Sequence, residues 1–311
     1  MRAPKLLVAA AVLLAACAAE PSHSRGEGAA DGAENGFPVM IRAANGPVAI
    51  PERPQQIVSL SPTATEMLFA IGAGPQVVAV DDQSNHPPGA PRTELSGYEP
   101  NVEALAAYDP DLVVVSNDPG GLLRSLAKLD IPGLLQPAAQ SLDDTYAQME
   151  QLGAATGHIA RAAEVVARTR AEIDEIVASA PTFEDPPSYY HELDQNYFSV
   201  TSDTFIGHLY GLFDLDNIAD DAKGASSGYP QLSAEHIIEA NPDLVFLADT
   251  KCCHVTAGRV ARRPGWDRIR AVREGRVYEL DDDIASRWGP RLVTFARTVA
   301  RAVAELERAR A

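Results

Sequence analysis

Two stretches of the chain follow one plan, 132 positions apart: Val102-Glu103-Ala-Leu-Ala-Ala-Tyr-Asp-Pro-Asp-Leu-Val-Val-Val and Ala234-Glu235-His-Ile-Ile-Glu-Ala-Asn-Pro-Asp-Leu-Val-Phe-Leu. In each, a short amphipathic run leads to Asp109 or Asn241, then a helix-ending proline, then an apolar run of strand type. A helix-turn-strand unit used twice constrains the fold to two equivalent α/β lobes. Two such lobes leave a cleft between them, and a cleft is where a small ligand binds.

Strands alternating with helices imply parallel sheets. Gln56 to Leu60 reads as a strand running into Ser61-Pro62, followed by a helix from Thr63 that Ser61 or Thr63 can cap and Gly72 or Gly74 can stop. Val77 to Val80 and Leu112 to Ser116 are further strands, ending in the polar loops Asp81 to His86 and Asn117-Asp118. Loops at the carboxyl ends of parallel strands face the ligand crevice, which makes these loops candidates by position. From Leu142 to Ala180 the pattern is helical, divided near Gly153 and Gly157. Tyr189-Tyr190-His191 then opens a strand of the second half. A long helical connector resists wide opening, so the expected motion on ligand binding is a small closure.

The amino terminus fixes the compartment. Arg2 and Lys5 precede an apolar segment, Leu6 to Leu14, too short to span a bilayer and patterned as a secretory signal. Leu14-Ala-Ala-Cys17 resembles the lipobox of bacterial lipoproteins, which implies cleavage before Cys17 and lipid attachment to it. Residues 18–36 lack the apolar side chains a fold needs and read as a flexible tether. The expected organisation is a signal peptide over 1–16, a lipidated tether over 17–36, an N-terminal lobe over 37–141, connecting helices over 142–180 and a C-terminal lobe over 181–311. The formal net charge is −17, and removal of Arg2 and Lys5 with the signal makes it two units more negative. Such a surface repels phosphate backbones, so nucleic acid is not an expected partner.

With these residues in hand, the chain resembles the substrate-binding lipoproteins of ABC importers, in the class with a helical backbone that captures cobalamin, haem and ferric siderophores. The likeness runs from about Pro54 to Ala304. It is carried by Ile57-Val-Ser-Leu-Ser-Pro-Thr-Ala-Thr-Glu66, both repeat copies, Asp203-Thr-Phe-Ile-Gly207, and the closing Leu280-Asp-Asp-Asp-Ile-Ala-Ser-Arg-Trp-Gly-Pro-Arg291. It implies two Rossmann-like lobes joined by a rigid helix, working as a monomer without cofactor or covalent chemistry. Its partners would be an ABC permease with its ATPase, a membrane reached through the lipid, and a metal chelate as cargo. It also implies that one glutamate per lobe, Glu103 and Glu235, docks on basic pockets of the permease. Charge-assisted contacts at two separated points would fix orientation.

The cargo is read from the loops. Tyr98 and Tyr229 precede the two glutamate-bearing helices and could sandwich a flat macrocycle through their π faces; a tyrosine bound to ferric iron would instead indicate haem. The closing segment is similar to that of cobalamin-binding members, which places Arg287 as a donor fork and Trp288 as a stacking face, with core packing the alternative for Trp288. Asp82, His191 and Lys251 complete the expected ligand contacts. His86 and His191 lack the spacing of a metal site, and none is expected. Cys252 and Cys253 are adjacent: disulfides usually want Cα atoms about 5.5 Å apart against about 3.8 Å for neighbours, so a bond between them closes a tight ring. An oxidised pair is favoured over metal ligation. A corrinoid is the expected cargo, with ferric siderophore or haem as alternatives. A lipoprotein that senses a ligand and docks on a receptor, or an extracytoplasmic enzyme using His191, Glu192 or Asp82, are readings from other classes. The chain shows no nucleophile elbow, paired histidines or phosphate loop to support the enzyme.

Overall fold

The computed structural model describes residues 36–310. The signal segment, Cys17 and the tether up to residue 35 lie outside the described residues. The fold opens with an antiparallel hairpin, β1 (Val39–Ala43) and β2 (Gly46–Ile50), whose turn ends in Gly46 at φ 99°. There follow β3 (Ile57–Leu60), α1 (Pro62–Ala70), β4 (Val77–Val80), α2 (Val102–Ala106), β5 (Leu112–Val115), α3 (Leu122–Ala127) and β6 (Gly133–Leu135). Helices α4 (Leu142–Thr156) and α5 (Ile159–Ser179) lead to the second half. It comprises β7 (Ser188–Glu192), α6 (Phe205–Gly211), β8 (Asp216–Asn217), α7 (Ala234–Ala240), β9 (Leu244–Leu247), α8 (Thr250–Cys253), α9 (Ala257–Val260), α10 (Arg270–Arg273), β10 (Val277–Glu279), α11 (Asp282–Ser286) and α12 (Leu292–Arg310).

Both larger sheets are parallel, with strand orders β4-β3-β5-β6 and β10-β9-β7-β8. Numbered within its own half, each sheet runs second, first, third, fourth. The repeated sequence supplies the third strand of each, with the helix before it. Helices cover both faces, which is why these strands read as unbroken apolar runs. Leu112 and Val114 face one core and Val113 and Val115 another; Leu244 and Phe246 divide from Val245 and Leu247 in the same way.

The repeat's punctuation has local causes. Asp109 and Asn241 turn the chain in the left-handed region, at φ 48° and 50°, which Asp and Asn tolerate better than most residues. The aspartate two residues on pins the start of the neighbouring strand. Asp111 accepts from the backbone N–H groups of Gln55 (2.7 Å) and Gln56 (3.0 Å), and Asp243 from that of Ser188 (3.2 Å). Gly207 is required for another reason: a Cβ there would lie 2.1 Å from the Thr201 carbonyl oxygen, where α6 meets the preceding loop.

α5 has 21 residues and is about 31 Å long at 1.5 Å per residue. Its first half places Ala162, Val165 and Val166 in the core of the first sheet, and its second half places Ile173, with Ile176 and Val177, in the core of the second. One continuous helix therefore belongs to both cores. α12 packs along it, and Arg297 bridges to Glu172 at 2.8 Å.

Candidate functional site

The carboxyl ends of both sheets carry the polar loops. In the first half, Ser61 accepts from the Ala64 N–H (3.3 Å) and Pro62 occupies the first turn, so α1 starts directly after β3. Beyond β4 come Asp81 and Asp82. Asp81 is buried, burial pushes its carboxyl above the ordinary value, and its Oδ1 has no hydrogen-bond partner; the same is true of Oδ1 of half-buried Asp82. Tyr98 stands over this loop, 74 % exposed. A cavity of about 90 Å³ lies there, lined by Asp81, Gln83, Tyr98, Ser116 and Asn117 among others.

In the second half Tyr229 is 49 % exposed. The two tyrosines are held alike: each closes a Ser-Gly-Tyr triplet and donates its backbone N–H to the serine hydroxyl, Tyr98 to Ser96 and Tyr229 to Ser227, both at 3.2 Å. Gly97 lets this turn pass close to β3, since a Cβ there would sit 2.7 Å from the Leu60 carbonyl oxygen. The Tyr229 turn follows the segment beyond β7, the Gly228 carbonyl accepting from the Thr201 N–H at 2.9 Å. Glu103 and Glu235 lie in the first turns of α2 and α7, both exposed, and their carboxylates have no hydrogen-bond or ion-pair partner among the described residues.

Of the expected ligand contacts, His191 is placed elsewhere, and Arg287 and Trp288 are engaged within the protein. His191 is wholly buried on β7, its Nδ1 2.8 Å from the Tyr210 hydroxyl, and burial lowers its pKa to about 3, so it cannot reach a ligand in the cleft. The Arg287 fork is turned onto the protein. Nη1 donates to Glu66 (2.9 Å) and Asn85 (2.8 Å), and Nη2 to the Gln83 carbonyl (3.1 Å) and Asp283 (2.7 Å). Trp288 is partly buried: it donates its indole N–H to Gln148 at 2.9 Å and packs against the cores of both sheets.

These contacts expose a residue the sequence reading passed over. Glu66, on α1, is buried and receives Arg291 twice (2.8 and 2.6 Å) as well as Arg287. The two ends of the likeness, the segment up to Glu66 and the segment down to Arg291, thus meet in one charged cluster between the halves. Sequence offered no signal for it, because the partners stand more than 220 residues apart.

Lys251 remains half-exposed and bridges Asp281 (2.7 Å) and Asp283 (2.9 Å). Burial alone would raise Asp283, but the Lys251 hydrogen bond and the Arg287 charge hold it below the ordinary carboxylate value. Asp282, the first residue of α11, accepts from the N–H groups of Thr250 (2.8 Å), Lys251 (3.0 Å) and Cys252 (2.9 Å) and so caps α8. Cys252 and Cys253 on that turn are disulfide-bonded. At the floor of the same half, the buried Glu192 receives Arg263 in bidentate fashion, and Arg263 stacks on Tyr197 and Trp266. Asp249 beside them is buried without hydrogen-bond partners, and burial together with the Glu192 charge raises it to about 7. Among the described residues no group of three or more His, Cys, Asp and Glu side chains could hold a metal ion.

Two like lobes with polar loops at the carboxyl ends of their strands and a stiff helix common to both cores define a two-lobed binding protein of the helical-backbone kind. Residues 57–284 match the family model described as periplasmic binding protein, and the chain belongs to that family. It is a family of substrate-binding proteins, not of enzymes. Among relatives, the chain is 31% identical over 307 residues to an uncharacterized ABC transporter substrate-binding lipoprotein, YvrC, of Bacillus subtilis, covering 96% of this chain and 95% of the relative. It is 32% identical over 272 residues to a cobalamin-binding protein of Halobacterium salinarum, covering 83% of this chain and 72% of the relative. A solved structure of a possible iron-binding, periplasmic solute-binding protein from Staphylococcus epidermidis superposes with TM-score 0.69 at 27% identity, covering 81% of this chain and 99% of that one. No described helix is long and apolar enough to cross a membrane.

Proposed function

We propose that the protein is the capture component of an ABC importer: anchored through lipid on Cys17, it binds a corrinoid between its lobes and docks through Glu103 and Glu235 on a permease. The observation that carries the reading is the matched pair Tyr98 and Tyr229. Large aromatic side chains left this exposed on two equivalent turns are suited to bracket a flat, largely apolar macrocycle. The name of the Halobacterium relative supports the corrinoid, and that of the Bacillus relative supports the importer and the lipid. The two glutamates fit docking because they are exposed and lie on equivalent helices, where charge-assisted contacts with a basic partner cost little desolvation. Catalysis has no part in it: capture needs burial of the macrocycle's faces, and transfer needs only that the permease move the lobes.

The test is an equilibrium titration of the protein with cyanocobalamin, haemin and ferric siderophores, followed by ligand absorbance and tryptophan fluorescence. The expected result is saturable cobalamin binding that Tyr98→Ala and Tyr229→Ala each weaken about tenfold, a loss of about 1.4 kcal/mol, in line with removal of one aromatic contact from a macrocycle. Binding of a siderophore alone would overturn the ligand assignment.

A further inference from the structure

The cavity beneath Tyr98 is about 90 Å³, room for a few water-sized groups. It is too small for a ring and large enough for the end of one side arm. Its chemistry is one-sided. Asp81 is 1% exposed: its Oδ1 is sealed off without a donor, and its Oδ2, 3.0 Å from where a Cβ on the lining Gly97 would stand, is the oxygen at the cavity wall. Asp82, the next residue along the chain, adds a second carboxylate behind the wall, and the other polar side chains of the lining, Gln83, Tyr98, Ser116 and Asn117, are uncharged. Among the described residues no Lys, Arg or His lines the space, and Arg287 nearby is already engaged by Glu66 and Asp283.

A carboxylate this deeply placed favours a donor over another acceptor, so a ligand group gains most at Oδ2 by bringing an N–H. A carboxylate, catecholate or hydroxamate brings a negative charge towards two aspartates and is disfavoured. A primary carboxamide satisfies both sides of the cavity: its N–H₂ donates to Asp81, and its carbonyl accepts from Asn117 or Ser116. We infer that the Asp81 cavity is a specificity site that takes a primary carboxamide arm of the bound macrocycle and rejects a carboxylate in its place. The inference deepens the corrinoid reading, because the corrin rim carries carboxamide arms where haem carries propionates.

The experiment measures affinities of cyanocobalamin and of its three monoacids, each with a different propionamide hydrolysed, alongside haemin and haemin diamide. Each is titrated against the native sequence, Asp81→Asn and Gln83→Lys. At least one monoacid is expected to bind the native protein about tenfold or more weakly than cobalamin. Asp81→Asn should close that gap to within about threefold, because asparagine removes the charge and can donate to the acid. Gln83→Lys brings a cation to the rim and should narrow the gap as well, which keeps the test intact if Asp81→Asn fails to fold. Equal binding of every acid and amide by the native protein, or a gap that neither substitution changes, overturns the specificity site while leaving corrinoid capture standing. If haemin binds and cobalamin does not, the corrinoid reading falls and the haemin pair reads the cavity by the same rule, the diamide binding tighter only where Asp81 is present. If no macrocycle binds, both fall.

Discussion

Replacing Glu66 by glutamine tests the junction between the halves. The side chain is nearly isosteric but loses its charge, and Arg291 is left without either of its carboxylate contacts. Arg287 keeps Asp283, Asn85 and the Gln83 carbonyl, so the cost falls mainly on Arg291. Breaking a buried ion pair by removing one partner costs about 3–5 kcal/mol. The Arg291 side chain is 21% exposed and water recovers part of that, which places the expected loss at the lower end, about 3 kcal/mol. Urea unfolding at neutral pH reads it as a lower midpoint at unchanged slope, because the buried surface is the same. In a melt it corresponds to a fall of about 6 °C or more for a chain of this size. A double-mutant cycle with Arg291→Gln should give a coupling of about 2 kcal/mol. A Glu66→Gln protein within about 0.5 kcal/mol of the native one, the range of an ordinary surface change, would refute the claim that the cluster holds the halves together.

Three further outcomes follow from the same geometry. Gly207→Ala drives a methyl group into the Thr201 carbonyl and should destabilise by about 2 kcal/mol or more, or yield no soluble protein; a melt within 1 °C of the native one would contradict the close approach. Asp249, raised to about 7 when folded against an ordinary carboxylate value near 4, favours the folded state at low pH, and that contribution is lost as pH rises from about 4 through 7. Asp249→Asn should therefore gain on the native protein at pH 8 and differ little at pH 4, measured as paired melts; a constant offset across that range would show that Asp249 does not titrate in it. Glu103→Lys with Glu235→Lys should abolish uptake by cells while leaving ligand affinity in solution unchanged, and undiminished uptake would remove both from docking.

The repeat was legible because its signals are local: an apolar period, a proline, and an Asp or Asn before it. The helices between Leu142 and Ala180 and the strand at Tyr189 were legible for the same reason. The hairpin at Val39 to Ile50 had a signal too, Asn45-Gly46 between alternating residues, but only Ile41, Val48 and Ile50 are buried in it and the apolar pattern is thin. His191 misled because a strand covered on both faces has no wet side, so a polar residue on it is buried whichever way it points. The contacts of Arg287 and Trp288 were illegible for a different reason. Their partners Glu66 and Gln148 lie 221 and 140 residues away, and no local pattern announces a contact of that span.

That span also orders events in time. The strands of the first sheet all come from residues 57–135, so its pairing can be completed from the first half of the chain alone. Glu66 cannot: the arginines that neutralise it arrive only with residues 287 and 291, near the end of the polypeptide. Until then its carboxylate must stay hydrated, and α1 cannot settle into its final burial without stranding a charge. Closing the junction is a late, long-range step of the kind that slows folding. A chain cut short before Arg287 would keep its first sheet's strands and lose the means to seal α1, so the last two dozen residues decide when the first helix is finished.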